Sequence, residues 1–471
     1  MRWLRFLSLG LWLLVGCSGC DSEEAPPDKG NVGNLFEGLN IQVTVPAVGG
    51  LKTDWEPALR EWSIQHGGEV TVSEYPYAKG SGELSSNISE ADVRLIPWSV
   101  VPELMAKEGF AEIPETVQAP DQLNWSGYFS GLRNQAASLG GQPRLVPIAC
   151  PVLVCYYRRD LLEDAKLAPP KTWDDYQKLL DTLSDWAPGF TAVEPWSESF
   201  RASMFLARSA AIAKHSEQFS FCFDRATGEP LIASPGFVEA LQKAKLALAK
   251  MPPEVTTFSP GDCRREILSG KAALAIGYET EINQDTAASE MVRIGISPLP
   301  GTRRVFNTSI NEWVQFDKET LHQVTFTGFT GWAIGVRAEL EDAENWAAWE
   351  LTRYLAIEQL PQLYPSAMVS VCRDSQTESA SRWTGPQLTA SESESYVAAV
   401  TESLQNRQLV MELPLIGHQQ YRAALTEGLT TAMNEENNEQ AILSAVAEKW
   451  RGITEQLGQE NVVRSYQFSH R

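Results

Sequence analysis

Short apolar runs and helical stripes alternate along the first hundred residues of the chain. Residues 39–45 and 69–75 alternate apolar with polar positions, which predicts two strands. Residues 51–66 carry tryptophan and leucine at helical spacing, so a helix is expected between the strands. Residues 90–97 give a third strand, and residues 100–108 give the helix after it. This order predicts a parallel sheet with crossover helices.

Residues 145–173 carry the densest local signals in the rest of the chain. Residues 152–157 (VLVCYY) form a β-branched and aromatic run that is too short for a helix, which predicts a buried strand. A short helix follows, and a Pro-Pro pair ends it. Thr172 then suits an N-cap, with Asp175 three residues later, so another helix is expected to begin there.

The same patterns predict the remaining elements. Helices are expected over residues 173–186, 200–214, 235–250, 263–270, 343–356 and 436–457. Strands are expected over residues 271–278 and 292–299, with a small hairpin around Thr227 and Gly228. Residues 379–394 are rich in Ser, Thr and Glu and are predicted to form a loop.

Composition makes this a soluble globular chain of two or three domains. It has 471 residues, of which 43% are hydrophobic and 21% charged, and its net charge is −21. Because no long basic run is present, nucleic acid is not expected as a partner. The acidity also disfavours contact with an anionic membrane surface other than through a covalent anchor.

The N-terminus resembles a bacterial lipoprotein signal. Arg2 and Arg5 precede an apolar stretch over residues 7–15, which is too short to span a bilayer and ends in Leu-Val-Gly-Cys. The resemblance implies a signal peptide at residues 1–16 and lipid attachment at Cys17. The alternatives are a redox Cys-x-x-C pair and an ordinary signal peptide. A polar tether over residues 17–37 would then hold the protein on the extracytoplasmic side of a membrane.

Five cysteines lie beyond the tether, and their odd number argues against a fully paired disulfide framework. Cys150 and Cys155 face opposite sides of the predicted strand, so they are not expected to pair with each other. A Cys222–Cys263 bond stays open as an alternative. Free buried thiols are the expectation for all five: Cys150, Cys155, Cys222, Cys263 and Cys372.

Sequence motifs for catalysis and metal binding were sought and not found. The five histidines lack ligand spacing, and neither G-x-S-x-G nor a G-x-G-x-x-G after a strand is present. Tryptophan is abundant instead, with 15 in the chain. Four of them are expected in loops after strands, which is where ligands bind in open α/β sheets. There a flat indole ring could cover the C–H face of a sugar, and core packing is the alternative role. These four are Trp98, Trp196, Trp313 and Trp332.

Three local motifs carry a resemblance to a known family. They are the Tyr-Arg-Arg-Asp-Leu step at residues 157–161, Pro-Lys-Thr-Trp at residues 170–173, and Ser-Gly-Lys-Ala-Ala before the strand at residues 271–278. Together they resemble the extracellular solute-binding proteins of ABC transporters, in particular the maltose-binding-like group. Arg158 stands where that group usually has Asn. The resemblance implies an α/β, two-lobed periplasmic-binding-protein-like fold of type II, with mixed sheets flanked by helices and a hinge between the lobes.

The resemblance also implies where the lobes divide and where a ligand binds. Lobe 1 is expected over residues 38–143 plus 303–360, lobe 2 over 144–302 plus 361–460, and a C-terminal tail over 461–471. Glu279 and Arg201 are each expected either to bind ligand hydroxyls or to form a surface ion pair. With Trp313 added from its predicted loop, the candidate ligand-binding residues are Gly50, Trp98, Pro151, Trp196, Arg201, Tyr278, Glu279, Trp313 and Trp332.

The function expected from these observations is capture of a small solute, with a sugar or oligosaccharide as the expected ligand, and its delivery to an ABC permease. The protein is expected to act as a monomer without catalysis, cofactor, metal or nucleic acid, and to touch the membrane only through its lipid anchor. One alternative is a lipid-anchored glycan-processing enzyme, which needs two carboxylates about 5 to 10 Å apart in one cleft. The other is a ligand sensor on the same scaffold that takes no part in transport.

Overall fold

The computed structural model describes residues 35–48, 50–76, 88, 90–107, 109–279, 292–359, 370–434 and 438–469. The strands in chain order are β1 Asn40–Pro46, β2 Glu69–Tyr75, β3 Val93–Pro97, β4 Ser138–Leu139, β5 Gln142–Pro143, β6 Leu145–Ala149, β7 Val154–Arg158, β8 Thr191–Val193, β9 Ala272–Gly277, β10 Ile294–Pro298, β11 Arg304–Asn307, β12 Glu312–Gln315, β13 Thr325–Thr327, β14 Trp332–Val336 and β15 Leu409–Met411.

The α-helices among the described residues are α1 Leu51–His66, α2 Val101–Lys107, α3 Glu115–Gln118, α4 Arg159–Ala165, α5 Trp173–Asp181, α6 Leu183–Trp186, α7 Arg201–Ala213, α8 Pro235–Leu248, α9 Pro260–Leu268, α10 Asp342–Tyr354, α11 Ala390–Gln405, α12 His418–Asn434, α13 Glu439–Leu457 and α14 Gln459–Phe468. Short 3₁₀ helices cover Trp98–Val100, Trp125–Gly127, Pro253–Thr257 and Asp374–Trp383, and single π-helical turns cover Leu132–Ala136 and Leu355–Gln359. Among the described helices, none is long and apolar enough to cross a membrane.

Two sheets define the two lobes. The first has the order β2-β1-β3-β14-β6, in which β1 runs parallel to β2 and β3, and β14 runs antiparallel to both of its neighbours. The second has the order β10-β7-β9-β8, with β7 antiparallel to both neighbours and β8 parallel to β9. The predicted parallel order therefore holds for the first three strands, and the complete sheets are mixed.

Local sequence signals position the helix that follows the central strand. The Thr172 hydroxyl accepts the Asp175 backbone N–H at 3.0 Å, and the Asp175 carboxylate accepts the Thr172 N–H at 3.1 Å. This capping box begins α5 at Trp173, as predicted. The predicted helix over residues 173–186 is, however, two helices, since α5 ends at Asp181 and α6 begins at Leu183.

The predicted lobe boundaries need two corrections. Residues 145–149 form β6 and pair with β14 in the first sheet, so the first lobe extends past the predicted limit at residue 143. The β11–β12 hairpin was assigned to lobe 1, but it packs on α7 and α8 of lobe 2. In both cases a contact with a segment far away in the sequence decides the lobe, and the local residue pattern does not reveal that contact.

Two predictions about the C-terminal third were wrong. Residues 379–394 are not a loop: they include the end of a 3₁₀ helix and the start of α11, which buries Tyr396, Val397 and Val400. Polar composition concealed the apolar stripe of this helix. The expected C-terminal tail includes most of α14, whose Tyr466 hydroxyl accepts the Phe221 N–H at 3.2 Å.

Candidate functional site

Three chain segments that pass between the lobes meet at residues 149–151. The Trp98 indole N–H donates to the Ala149 carbonyl at 2.7 Å. The Thr327 hydroxyl donates to the Pro151 carbonyl at 2.7 Å, just before the chain returns from lobe 2 to β14. The Cys150 N–H donates to the Ser370 hydroxyl at 2.7 Å, on the segment that leads from α10 to α11. These bonds pin the crossing segments to one another, and we call this region the hinge.

Two glycines shape the second crossing. Gly328 and Gly331 have φ angles of +81° and +101°, a region that side chains with a Cβ rarely adopt. A Cβ at Gly331 would lie 2.2 Å from the Ala149 carbonyl oxygen, so the two crossings approach more closely than any other residue permits. Between these glycines the chain presents Phe329, which is only partly buried.

Phe329 belongs to a cluster of three aromatic rings, which we call the aromatic cluster. Its centroid lies 5.3 Å from that of Phe200 and 5.7 Å from that of Tyr278, and Phe200 and Tyr278 are 6.5 Å apart. Phe200 precedes α7, and Tyr278 directly follows β9. All three rings are partly buried, so the cluster retains exposed aromatic surface beside the hinge.

A groove that we call the polar groove, after the residue types that line it, lies beside the residues that directly precede Phe200. It has a volume of about 1100 Å³ and lies between residues 197–199, which lead into Phe200, and α12. Its lining is rich in hydroxyl, amide and charged groups, including those of Ser197, Glu198, Ser199, Gln419, Arg422 and Thr430. Such groups donate and accept hydrogen bonds in several directions, which suits a ligand with many hydroxyls.

The buried carboxylate of Glu412 holds Arg422 in position at the groove. Glu412 is fully buried and accepts the Ser203 hydroxyl at 2.7 Å. The Arg422 Nε lies 3.5 Å from the same carboxylate, and Arg422 also donates to the Ser199 carbonyl. His418 lies 3.8 Å from the other Glu412 oxygen, and burial lowers the pKa of its imidazole. Arg422 is therefore held by fixed partners while its side chain remains 17% exposed.

The structure places five of the predicted site residues at or near the ends of strands. Trp332 pairs with both Pro97 and Ala149, which places it beside Trp98 and Pro151. Tyr278 follows Gly277, which pairs with Val154 at the start of β7. Gly50 lies beyond the carboxyl end of β1 and has a φ of +79°. The indole rings of Trp98 and Trp332 are each 5% exposed, so they support this edge and present little surface to a ligand.

The other four predicted residues have structural partners elsewhere. Trp196 is fully buried, and its indole N–H donates to Glu194 at 2.9 Å. Glu279 pairs with Arg264 at 2.6 Å, with side chains 6% and 7% exposed, so it forms a buried ion pair where a surface pair or a free ligand group was expected. The two remaining residues, Arg201 and Trp313, also have side-chain partners.

Arg201 donates at 2.6 Å to the hydroxyl of Thr430, which lines the groove, and burial lowers the pKa of the Arg201 guanidinium. Trp313 lies in β12 rather than in a loop, with the Arg304 guanidinium 4.0 Å above its ring. Trp332 likewise begins a strand. Cys17 lies outside the described residues.

Sequence reasoning missed Phe200, Phe329 and Arg422. In residues 194–201 (EPWSESFR) the sequence predicts Trp196 and Arg201 as site residues, and Phe200 between them carries no local signal for a site. The glycines on either side of Phe329 were a usable signal, because they mark a close backbone approach. Arg422 lies on a helix that was not predicted, so no local signal placed it near residue 199.

The fold is shared with several solved binding proteins. The maltose-bound MalE3 of T. maritima superposes with a TM-score of 0.58 at 18% identity, over 88% of this chain and 100% of that chain. The sugar-binding protein MalE of Xanthomonas citri gives 0.65 at 15% identity, over 89% of this chain and 100% of that chain. A solute-binding protein of an ABC transporter from Agrobacterium radiobacter K84, in complex with ribitol, gives 0.62 at 16% identity, over 89% and 99%.

These likenesses establish the two-lobed periplasmic-binding-protein fold. Comparison with curated protein sequences finds no match. The family model described as "bacterial extracellular solute-binding protein" matches residues 61–362, which is well over half of the sequence. The chain therefore belongs to the family of bacterial extracellular solute-binding proteins.

Proposed function

We propose that the protein captures a sugar or another polyhydroxylated solute in the polar groove beside the aromatic cluster and delivers it to an ABC permease. The observation that carries the proposal is that residues 197–199 line the hydroxyl- and charge-rich groove and lead directly into Phe200, whose partly exposed ring packs with those of Tyr278 and Phe329. A sugar offers a C–H face to a ring and a rim of hydroxyls to polar groups, and this pair of surfaces matches both.

The structural neighbours support the same ligand class. The T. maritima protein was solved with maltose and the A. radiobacter protein with ribitol, a linear polyol. Both ligands are neutral and rich in hydroxyls. A groove whose arginine is already paired with Glu412 and Ser199 also suits a neutral ligand better than a strongly charged one.

Delivery to a permease follows from motion about the hinge. A ligand held in the groove of lobe 2 that also contacts lobe 1 would bind the closed arrangement more tightly than the open one, so it would shift the population toward closure. The permease would then recognise the closed form. Lipid attachment at Cys17, after cleavage of residues 1–16, would keep the protein on the extracytoplasmic face of the membrane, and Cys17→Ala should release it into the soluble fraction.

Thermal unfolding tests the ligand class directly. The chain from residue 30 onward, which retains every described element, is unfolded in the presence of maltose, ribitol, mannitol, amino acids and polyamines. A ligand at 100 times its Kd should stabilise the folded state by about 2.7 kcal/mol, which shifts the unfolding midpoint clearly. We expect the shift with a sugar or polyol and not with the amino acids or polyamines.

Tyr278→Ala supplies the site-specific arm, and Phe219→Ala is its matched control. Phe219 is an aromatic residue of the same lobe that is 65% exposed and lies outside the groove. The sugar-induced shift should fall in the first variant and persist in the second. A shift with none of the sugars would refute the proposal, and turnover of the bound sugar would favour the glycan-processing alternative.

A further inference from the structure

Two of the five buried thiols, Cys150 and Cys372, lie at the hinge. Cys150 is the first residue after β6, and Cys372 lies on the segment that leads from α10 in lobe 1 to α11 in lobe 2. The Ser370 hydroxyl accepts the Cys150 N–H at 2.7 Å and lies 3.8 Å from the Cys372 sulfur. Two crossing segments more than two hundred residues apart thus bring both cysteines to the same Ser370 hydroxyl.

The other three described thiols have different surroundings. Burial raises the pKa of each thiol, and the negative charge of Glu194 adds to the rise for Cys155 and Cys263, as that of Glu412 does for Cys222. All three lie within lobe 2, on β7, on α9 and before α8, rather than on a crossing segment. They therefore serve as internal controls for any chemistry that depends on the hinge.

We propose that Cys150 and Cys372 form a reversible disulfide that ties two of the crossing segments together and restrains the hinge. An extracellular protein works where disulfides form and persist. The oxidant is a small disulfide such as oxidised glutathione. One protein thiolate attacks it and releases one thiol, and the second protein thiolate then attacks the mixed disulfide and releases the other. The protein loses two S–H groups and gains one S–S bond, while the oxidant is reduced to two thiols.

Packing of the hinge controls this reaction. Both thiols are buried, and burial raises the pKa of Cys372 to about 12 and that of Cys150 higher still. The Cys150 sulfur also lies 3.1 Å from the Thr327 hydroxyl of the second crossing. Thiolate is therefore scarce while the crossings are packed, so oxidation should proceed only when they separate.

The test is oxidation of the chain from residue 30 onward with oxidised glutathione, followed by peptide mapping without reduction. We expect a Cys150–Cys372 linked peptide, loss of two of the five thiols, and recovery of both on reduction. Cys372→Ser should abolish the link, whereas Cys263→Ser should leave it unchanged. Glutathione adducts without a link, or equal modification of all five thiols, would overturn the proposal.

Hydrogen exchange then tests the restraint. The Phe129 N–H donates to the Cys372 carbonyl at 3.0 Å, and the Cys150 N–H donates to Ser370, so both amides report on the hinge. In the linked protein their exchange should slow by about tenfold or more, and amides of α13 in lobe 2 should exchange as before. A linked protein with unchanged exchange at the hinge would show that the bond does not restrain it.

Discussion

Residues 194–201 form one short segment whose first end is buried in the core and whose second end borders the groove. At the first end, Glu194 and Trp196 are fully buried, and Glu194 pairs with the equally buried Arg208. The Arg208 guanidinium also lies 3.9 Å from the centre of the Trp173 ring. At the second end, residues 197–199 line the polar groove and Phe200 joins the aromatic cluster.

The comparison shows that residue type alone does not assign a role. The core end contains a tryptophan and a carboxylate, which are the residue types expected in a sugar site, and packing uses both for stability. The groove end contains serines and a phenylalanine, which are unremarkable in sequence. A buried charge is tolerated only with a partner, so Glu194 and Arg208 stabilise the lobe by satisfying each other.

The largest effect is expected at the core end. Arg208→Leu leaves the Glu194 carboxylate buried without its cation, and we expect the free energy of unfolding to fall by about 3 to 5 kcal/mol. Urea denaturation of the chain from residue 30 onward measures it. Arg293→Leu is the matched control, since its pair with Glu163 is 60% and 55% exposed and should contribute less than about 1 kcal/mol. Equal losses in the two variants would contradict this account.

Glu103 is a buried carboxylate with fewer partners than Glu194, and its protonation is expected to make the stability of the protein depend on pH. Glu103 in α2 accepts the Gly417 N–H of lobe 2 at 2.9 Å, and its other oxygen has no hydrogen-bond partner within the described part of the chain. Burial raises its pKa from 4.5 to about 7, against the opposing effects of Gly417 and Lys107. The folded state therefore holds this proton more tightly than the unfolded state does.

The stability that this proton contributes is complete below pH 4.5 and is lost as the pH rises through about 7. The loss should approach about 3 kcal/mol, by the conversion of pKa shifts to free energy. Denaturation of the wild type and of Glu103→Gln between pH 4 and pH 8 measures it as a growing advantage of the variant. Glu115→Gln, at an exposed acidic residue of the same lobe, should show none. A constant difference between wild type and Glu103→Gln would refute the assignment.

At the groove end the effect should appear in binding rather than in folding. Tyr278→Ala should weaken sugar binding about fivefold to tenfold, because a ring contact contributes roughly 1 kcal/mol. Its urea midpoint should change far less than that of Trp196→Ala, which should lose about 3 to 5 kcal/mol. Calorimetric titration with the sugar identified by thermal unfolding measures the affinity. Equal losses of stability in the two variants would erase the distinction between the two ends.

The smallest effect is expected at Thr172, the N-cap of α5, which the local sequence predicts. Thr172→Ala removes the side chain that accepts the Asp175 N–H, and it should lower the free energy of unfolding by about 1 kcal/mol. Urea denaturation again measures it. Thr172→Ser keeps the hydroxyl and should restore most of the loss, so a serine variant as unstable as the alanine variant would point to packing rather than capping.

Local pattern predicted what local interactions determine. The helix Leu51–His66 and the strand Glu69–Tyr75 lie where the apolar spacing put them, and Thr172 caps its helix. The family and the two-lobed fold also followed from short motifs in the right order. The missed helix Ala390–Gln405 shows the limit, since its polar composition outweighed its buried stripe.

Tertiary contacts decided the rest. The strand Leu145–Ala149 has the same local pattern in either lobe, and only pairing with Trp332–Val336 assigns it to the first. Trp196 and Phe200 are four residues apart, yet one is in the core and the other borders the groove. Spacing along the chain determines secondary structure because those interactions span a few residues. Burial and partners depend on segments hundreds of residues away, so only the folded chain determined which aromatic and charged groups remain available to a ligand.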